Sequence, residues 1–432
     1  MKIPQLRWEQ VRLFGSAVMS QALLSAANFI AGLLLIRQAS NLEYGYYVLV
    51  MGGVLLLSSL QGAFIGPPLV ARLTRLDLAG RRGLVGGLYR EQSRLAFVAA
   101  ALFGAAVLIL LALEMIEQSA ALLLLTSTLA AMAVLSREYF RMVLLAHRRA
   151  VDALRADACF IVVFLAGVEA SARSALPAAF ATLALAAAAV VGAVVAARAL
   201  KRHEDWDPQG SPGILRQIAP VAAWSMAGAA IHWTFTQGYS YLVAATLDVP
   251  SVASLAATRL LMMPVNFLSL GIGSLMLPLA SRWLHEHGPT VVFQRLLQFS
   301  AGVGIAALCY FAVLWMARDW VFDSLLKKSF PERDTLLVFW SLAFLVMACR
   351  DQLLYLLVAR QRFRRLSVLA LVSAIVALGT SLWAMQRLGP AGAPLGIVAG
   401  EMLNLIGVVA MSLREIAGGA RARVITAPVE VL

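Results

Sequence analysis

The chain has 432 residues, of which 61% are hydrophobic and 14% charged; its mean hydropathy is +0.81. Soluble domains carry roughly 45–50% apolar residues, so this composition excludes an ordinary water-soluble enzyme and places the chain in lipid. The net charge of +13 would suit a nucleic-acid binder, but the basic residues sit in short clusters between long apolar runs and no nucleic-acid motif is present.

The chain begins with the basic residues Lys2, Arg7 and Arg12, followed by Leu13 to Ile36 without a charge. That run is long enough for a span of about 20 residues and too long for a signal-peptide core of roughly 7–15. Further spans are expected near Tyr44–Pro67, Leu95–Leu113, Ser119–His147, Ala153–Ala170 and Ser174–Ala197. The polar stretch Arg198 to Arg216, with Glu204-Asp205-Trp206-Asp207-Pro208 and Ser211-Pro212-Gly213, reads as a linker because turn formers and charges replace the apolar pattern. Beyond it, spans are expected near Gln217–Leu242, Val252–Ser281, Leu296–Ala317, Thr335–Ala359, Leu366–Gln386 and Ala393–Leu413. The expectation is an all-α integral membrane protein with about twelve spans in two pseudo-symmetric six-helix lobes around a central cavity. Residues 1–200 form the first lobe, 201–216 a cytoplasmic linker, and 217–432 the second lobe with a short cytoplasmic tail.

Two internal echoes support a duplication. Arg137-Glu138, followed by an apolar run and His147-Arg148-Arg149, recurs as Arg350-Asp351 with Arg360-Gln361-Arg362, about 213 residues later. Pro68-Leu69-Val70-Ala71-Arg72 recurs as Pro278-Leu279-Ala280-Ser281-Arg282, about 210 residues on. With both termini inside, about 27 of the 36 Lys and Arg fall on the cytoplasmic side. The outer stretch from Arg318 to Arg333 is the exception, since it contains Lys327-Lys328.

A charge at mid-bilayer costs about 2.5–3.5 kcal/mol on insertion scales, so such charges face protein or a watery cavity. Arg137 and Arg350 lie at matching depths, and Arg137 shares a helical face with Arg141 and Arg148. The competing reading has this helix protrude into the cytoplasm with its charges solvated. Adjacent Arg137 and Glu138 point about 100° apart and are not expected to neutralise each other, whereas Glu138 reaches Arg141. A reciprocal latch between lobes, Arg137 to Asp351 and Glu138 to Arg350, is a further expectation. Arg259, near the kink-prone Pro264, is an outer-half basic candidate, and Arg37 ends span one as either a cavity residue or an interfacial anchor. Glu401 and His232 are candidates for proton or ion coupling, although a lone His on an apolar helix is more often a packing residue. Asn28, Asn266 and Asn404 read as interhelical hydrogen-bonders. Cys159, Cys309 and Cys349 lack paired spacing, and His285-x-His287 is too sparse for a ligand set, so no metal or cofactor is expected.

Asn28-Phe29, the apolar run to Arg37 and the following Glu43-Tyr44-Gly45-Tyr46-Tyr47 resemble the opening of polysaccharide and O-antigen flippases of the multidrug/oligosaccharidyl-lipid/polysaccharide exporter superfamily. Arg137-Glu138-Tyr139-Phe140-Arg141 is similar to the end of their fourth span. The sequence departs from that pattern at Ile36-Arg37, where the family has Ala-Arg, and at Ala39-Ser40, where it has Leu-Gly. The resemblance implies a non-enzymatic flippase of the bacterial inner membrane. Its cargo would be an undecaprenyl-diphosphate-linked oligosaccharide carried to the outer leaflet by alternating access, with polysaccharide polymerase or export proteins as partners. It also implies that basic cavity residues attract the diphosphate; carried over by position these are Arg37, Arg137, Arg141, Arg259 and Arg350. A drug/cation antiporter of the same superfamily would favour acidic groups inside the first lobe, and span one has none. An integral-membrane glycosyltransferase or polymerase would need placed carboxylates or a sizeable outer loop.

Overall fold

The computed structural model describes residues 8–73, 75–203, 206–207, 210 and 212–425. Lys2 and Arg7, the linker residues Glu204, Asp205, Pro208 and Ser211, and the tail from 426 onward lie outside the described residues. The helices are α1 (Trp8–Gln38), α2 (Asn41–Leu73), α3 (Leu78–Ala112), α4 (Gln118–Ala146), α5 (Ala150–Ala172), α6 (Pro177–His203), α7 (Ile214–Thr246), α8 (Val249–Leu260), α9 (Met263–His287), α10 (Pro289–Met316), the short α11 (Arg318–Trp320), α12 (Arg333–Ala359), α13 (Phe363–Leu388) and α14 (Gly392–Ile425). Among the described residues, nine stretches are long and apolar enough to cross a membrane, one of them, Phe363–Ala417, containing α13 and most of α14. The chain is therefore an all-helical, multi-pass membrane protein.

One expected span is not continuous. The run from Val252 to Ser281 is split into α8 and α9 at Leu261 and Met262. Pro264 stands in the first turn of α9, where its missing N–H costs nothing, and the preceding carbonyls close a tight turn instead of continuing α8. A second proline, Pro220, sits within α7, whose segments Ile214–Pro220 and Ala222–Thr246 meet at 71°.

The chain divides into two compact units, Met1–Trp233 and Thr234–Leu432, with the boundary inside α7. In the first, α4 packs on α6, α2 and α3, α5 on α6, and α1 on α5. Its core gathers Ile65, Leu69, Leu88, Tyr139, Val143 and Leu200. Small residues allow these helices to approach: a Cβ on Gly167 of α5 would lie 2.6 Å from the Cβ of Ala184 on α6. In the second, α12 packs on α14, α10 and α9, and α13 on α14, around Met276, Leu296, Leu353, Leu357 and Val408. Leu95, Phe97, Leu102 and Ile109 of α3 are exposed, as a helix face meeting lipid requires.

The backbone preserves the repeat. The non-glycine residues with left-handed φ among the described residues are Glu114, Arg148, Lys327 and Gln361. They form the pairs Glu114/Lys327 and Arg148/Gln361, each separated by the same 213 positions as Arg137 and Arg350. Left-handed φ is uncommon outside glycine, so this coincidence marks matched turns at the ends of matched helices.

The described part of the linker lies against α3. Gly86 has no room for a Cβ, which would fall on the Asp207 carbonyl, and Arg90 donates to the Gly210 carbonyl at 3.1 Å. Trp206 stands edge-on to Tyr89 and Phe140, with ring centroids 5.4 and 5.6 Å away. Glu91 accepts from the first amides of α7, Gly213 and Leu215 (2.9 Å) among them, which satisfies an otherwise unpaired helix start.

Candidate functional site

In the first unit, Arg137 and Arg141 lie one turn apart on α4, on the side that meets α5. Arg137 is only 4% exposed, which removes the expectation that it is solvated or snorkels to water. Its Nη2 donates to Oδ1 of Asp157 on α5, and its Nη1 to Oε1 of Glu138 at 2.6 Å. The expectation that neighbouring Arg137 and Glu138 cannot pair is thus incorrect. The roughly 100° between their Cα–Cβ directions is bridged by the length of the two side chains. The guanidinium carbon also lies 3.9 Å from the Phe160 ring centroid, a cation–π contact one turn along α5 from Asp157. Gly192 of α6 leaves space for this side chain, since a Cβ there would approach Arg137 Cδ to 3.1 Å.

Asp157, 1% exposed, organises the cluster. Its Oδ2 accepts from Arg141 Nε at 3.0 Å and from the Ser20 hydroxyl of α1. Arg141 also lies 3.7 Å from Glu138, as expected. Two guanidinium groups therefore face two carboxylates, and the cluster is balanced in charge. Sequence reasoning did not single out Asp157. The signal was available: an intramembrane arginine requires a counter-charge, and Asp157 is an acid inside the fifth apolar run.

Above this cluster a cleft of about 590 Å³ opens between α2 and α4, lined by Ser58, Gln61, Gly62 and Gly66 on one side and by Glu138, Arg141 and Arg148 on the other. Ser58, Gly62 and Gly66 recur every four residues and so share one face of α2. A Cβ on Gly62 would meet nothing within 4 Å, so the absence of side chains there widens the cleft. Gln61 Nε2 donates to the Leu135 carbonyl of α4 at 2.8 Å and holds the two walls together.

In the second unit, Arg350 donates to Asp351 Oδ1 from Nη2 at 2.5 Å and from Nε at 3.1 Å, and its Nη1 lies 3.0 Å from Glu401 Oε2 on α14. Glu401 is buried, at 4% exposure. This cluster holds one arginine and two carboxylates. The groups proposed to latch reciprocally are thus engaged with partners inside their own units: Arg137 and Glu138 with each other, and Arg350 with Asp351.

Arg259, in the last turn of α8, has a different setting. Its Nη1 donates to Gln237 Oε1 and Tyr239 Oη, both at 3.2 Å. Its guanidinium carbon lies 5.5 and 5.7 Å from the Tyr239 and Trp340 rings. Among the described residues no carboxylate pairs with it, and its buried Nε has no hydrogen-bond partner. Arg37 is exposed in the last turn of α1, consistent with an interfacial anchor, and His232 is exposed on α7. The described residues contain no group of three or more metal-ligating side chains.

No protein-family model matches the chain, and neither does any curated protein. Solved structures do. An inward-facing multidrug-resistance MATE transporter of the MOP superfamily superposes with a TM-score of 0.72 at 14% identity, over 95% of this chain and 100% of that one. The lipid II flippase MurJ, in an inward closed conformation, gives 0.73 at 10% identity, over 92% and 87%. The eukaryotic MATE transporter AtDTX14 gives 0.62 at 12% identity, over 96% and 99%. Across nearly its whole length, this chain has the fold of those MATE transporters and of MurJ.

Proposed function

We propose that the protein is a transporter of the bacterial cytoplasmic membrane, with both termini cytoplasmic. It carries an undecaprenyl-diphosphate-linked oligosaccharide from the inner to the outer leaflet by alternating access, and works beside polysaccharide polymerase and export proteins. The observation that carries this reading is the cleft between α2 and α4. It is an arginine-bearing cavity of about 590 Å³ within membrane-spanning helices, its largely apolar wall, with Val70, Met142 and Leu145, broken by Ser58, Gln61, Glu138, Arg141 and Arg148. Each unpaired sugar hydroxyl in hydrocarbon costs on the order of 2–7 kcal/mol, so a glycan headgroup crosses only where protein or water replaces its hydrogen bonds. Ser58 and Gln61 offer such groups. Arg141 and Arg148, which line the cleft, supply the planar forks that suit phosphate oxygens. The lipid tail remains in the bilayer. The reciprocal latch is a proposal for the opposite state of the cycle, in which the present ion pairs exchange partners.

A second reading, a drug/cation antiporter, has specific support. Buried Asp157 supplies the acidic group in the first lobe that span one lacks, and the Arg350 cluster has one carboxylate in excess. Deleting the gene and locating the lipid-linked oligosaccharide separates the two. Accumulation in the cytoplasmic leaflet, rescued by the wild type but not by Gly62→Leu, supports the flippase. An unchanged pool with new drug sensitivity supports the antiporter, and loss of the intermediate itself indicates a synthetic enzyme.

A further inference from the structure

We infer that the turn between α12 and α13, with the facing end of α14, is a binding site for the phosphate headgroup of an anionic membrane phospholipid. Glu415 of α14, 8% exposed, sits where three arginines converge. Arg362 binds it with both ends of its fork, at 2.7 and 3.1 Å. Arg360 and Arg365 approach it only to 3.8 and 3.7 Å, beyond hydrogen-bond distance. One carboxylate therefore gathers three guanidinium groups and leaves the cluster with two unneutralised charges.

The donors are also in surplus. Arg360 Nε is buried without a hydrogen-bond partner, and Arg365, with a side chain 59% exposed, reaches Glu415 only through Nη1 at 3.7 Å. Arg364 and Arg414 add exposed charge beside them. A tetrahedral group with several anionic oxygens satisfies such a set, because guanidinium forks bind phosphate bidentately. The location favours a lipid over a soluble anion. The cluster lies where three membrane-spanning helices end, and basic pockets between such helices take phospholipid headgroups.

The matching turn of the first unit shows what is special here. There Asp152 pairs with Arg155 at 3.2 Å and Arg149 at 3.6 Å, but all three belong to α5 or its cap. In the second unit the carboxylate comes from α14, so the arginines are positioned between helices instead of along one. A headgroup bound to them would tie α12, α13 and α14 together.

The test uses the full-length protein in nanodiscs of phosphatidylcholine, with and without cardiolipin, and reads the unfolding temperature. Cardiolipin is expected to raise it by a few degrees for the wild type and for R387Q, a charge control at the other end of α13. It is expected to raise it by less than half as much for R362Q/R365Q. If the double variant does not accumulate, R365Q alone gives the reading, since Arg365 is exposed and makes the weaker contact. An equal rise in wild type and variant overturns the site. So does a rise that inorganic phosphate alone reproduces in phosphatidylcholine discs, which would assign the cluster to a soluble anion.

Discussion

In the first unit Arg137 turns toward α5 and meets Asp157, while in the second Arg350 turns toward α14 and meets Glu401. The repeat places Ala370 where Asp157 stands in the other copy, and Ala188 where Glu401 stands. The helix starts repeat this behaviour. The amide of Ala178 donates to Glu43 and that of Ala391 to Glu332, at corresponding positions of α6 and of the turn entering α14, yet the two acids occupy unrelated places in the repeat. Backbone turns and basic residues are shared between the copies, and the carboxylates that serve them are recruited from different segments. A buried guanidinium or an open helix end demands an acceptor, but any helix that faces it can supply one. The first unit reached a balanced cluster and the second an acidic one.

The largest test of this contrast is Asp157→Leu. It leaves two arginines against a buried gap, and breaking a buried pair costs about 3–5 kcal/mol. The expected outcome is a strong loss of thermal stability in nanodiscs, which Asp157→Asn recovers in part through its remaining hydrogen bonds. Next is Arg259→Gln. A charge-assisted hydrogen bond contributes about 1.5–3 kcal/mol, so if the proposed function holds, transport should fall by roughly 10–100-fold while folding is kept. Arg259→Lys should fall between the two, because it keeps the charge but not the fork.

Smaller effects are expected from Trp206→Ala, which removes two edge-on ring contacts and should cost ~1–3 kcal/mol by loosening the linker from α3. Glu401→Gln should have a smaller effect on stability than these, about 1 kcal/mol or less, because Asp351 still neutralises Arg350. If Glu401→Gln destabilises the protein as much as Asp157→Leu, the two clusters are equivalent and the contrast between lobes fails. Gly62→Leu refines the functional side: it should leave stability within about 0.5 kcal/mol of wild type and abolish transport by filling the cleft.

Several parts of this molecule were readable before any coordinates. Arg137 and Arg350 announced themselves as charges within apolar runs, and their spacing matched that of the turns whose left-handed residues now confirm the repeat. Pro264 signalled trouble in the eighth span, although the outcome was a break two residues earlier, not a kink. Asp157 escaped notice because it stands only a few residues beyond a basic loop, where an acid looks ordinary. The cleft escaped too, since Gly62 and Gly66 sit inside an apolar run and matter only for what they leave empty.

Hydrophobic run length, loop charge and an internal repeat determined by themselves that this chain is a duplicated bundle of membrane-spanning helices, because each depends on residues near one another in sequence. The pairing of Arg137 with Asp157 and of Arg350 with Glu401 was decided only by tertiary structure. Several carboxylates lie within reach of each arginine along the chain. The one that is used is the one whose helix face turns toward it once α4 has packed on α6 and α5, or α12 on α14, and small side chains have let the helices close.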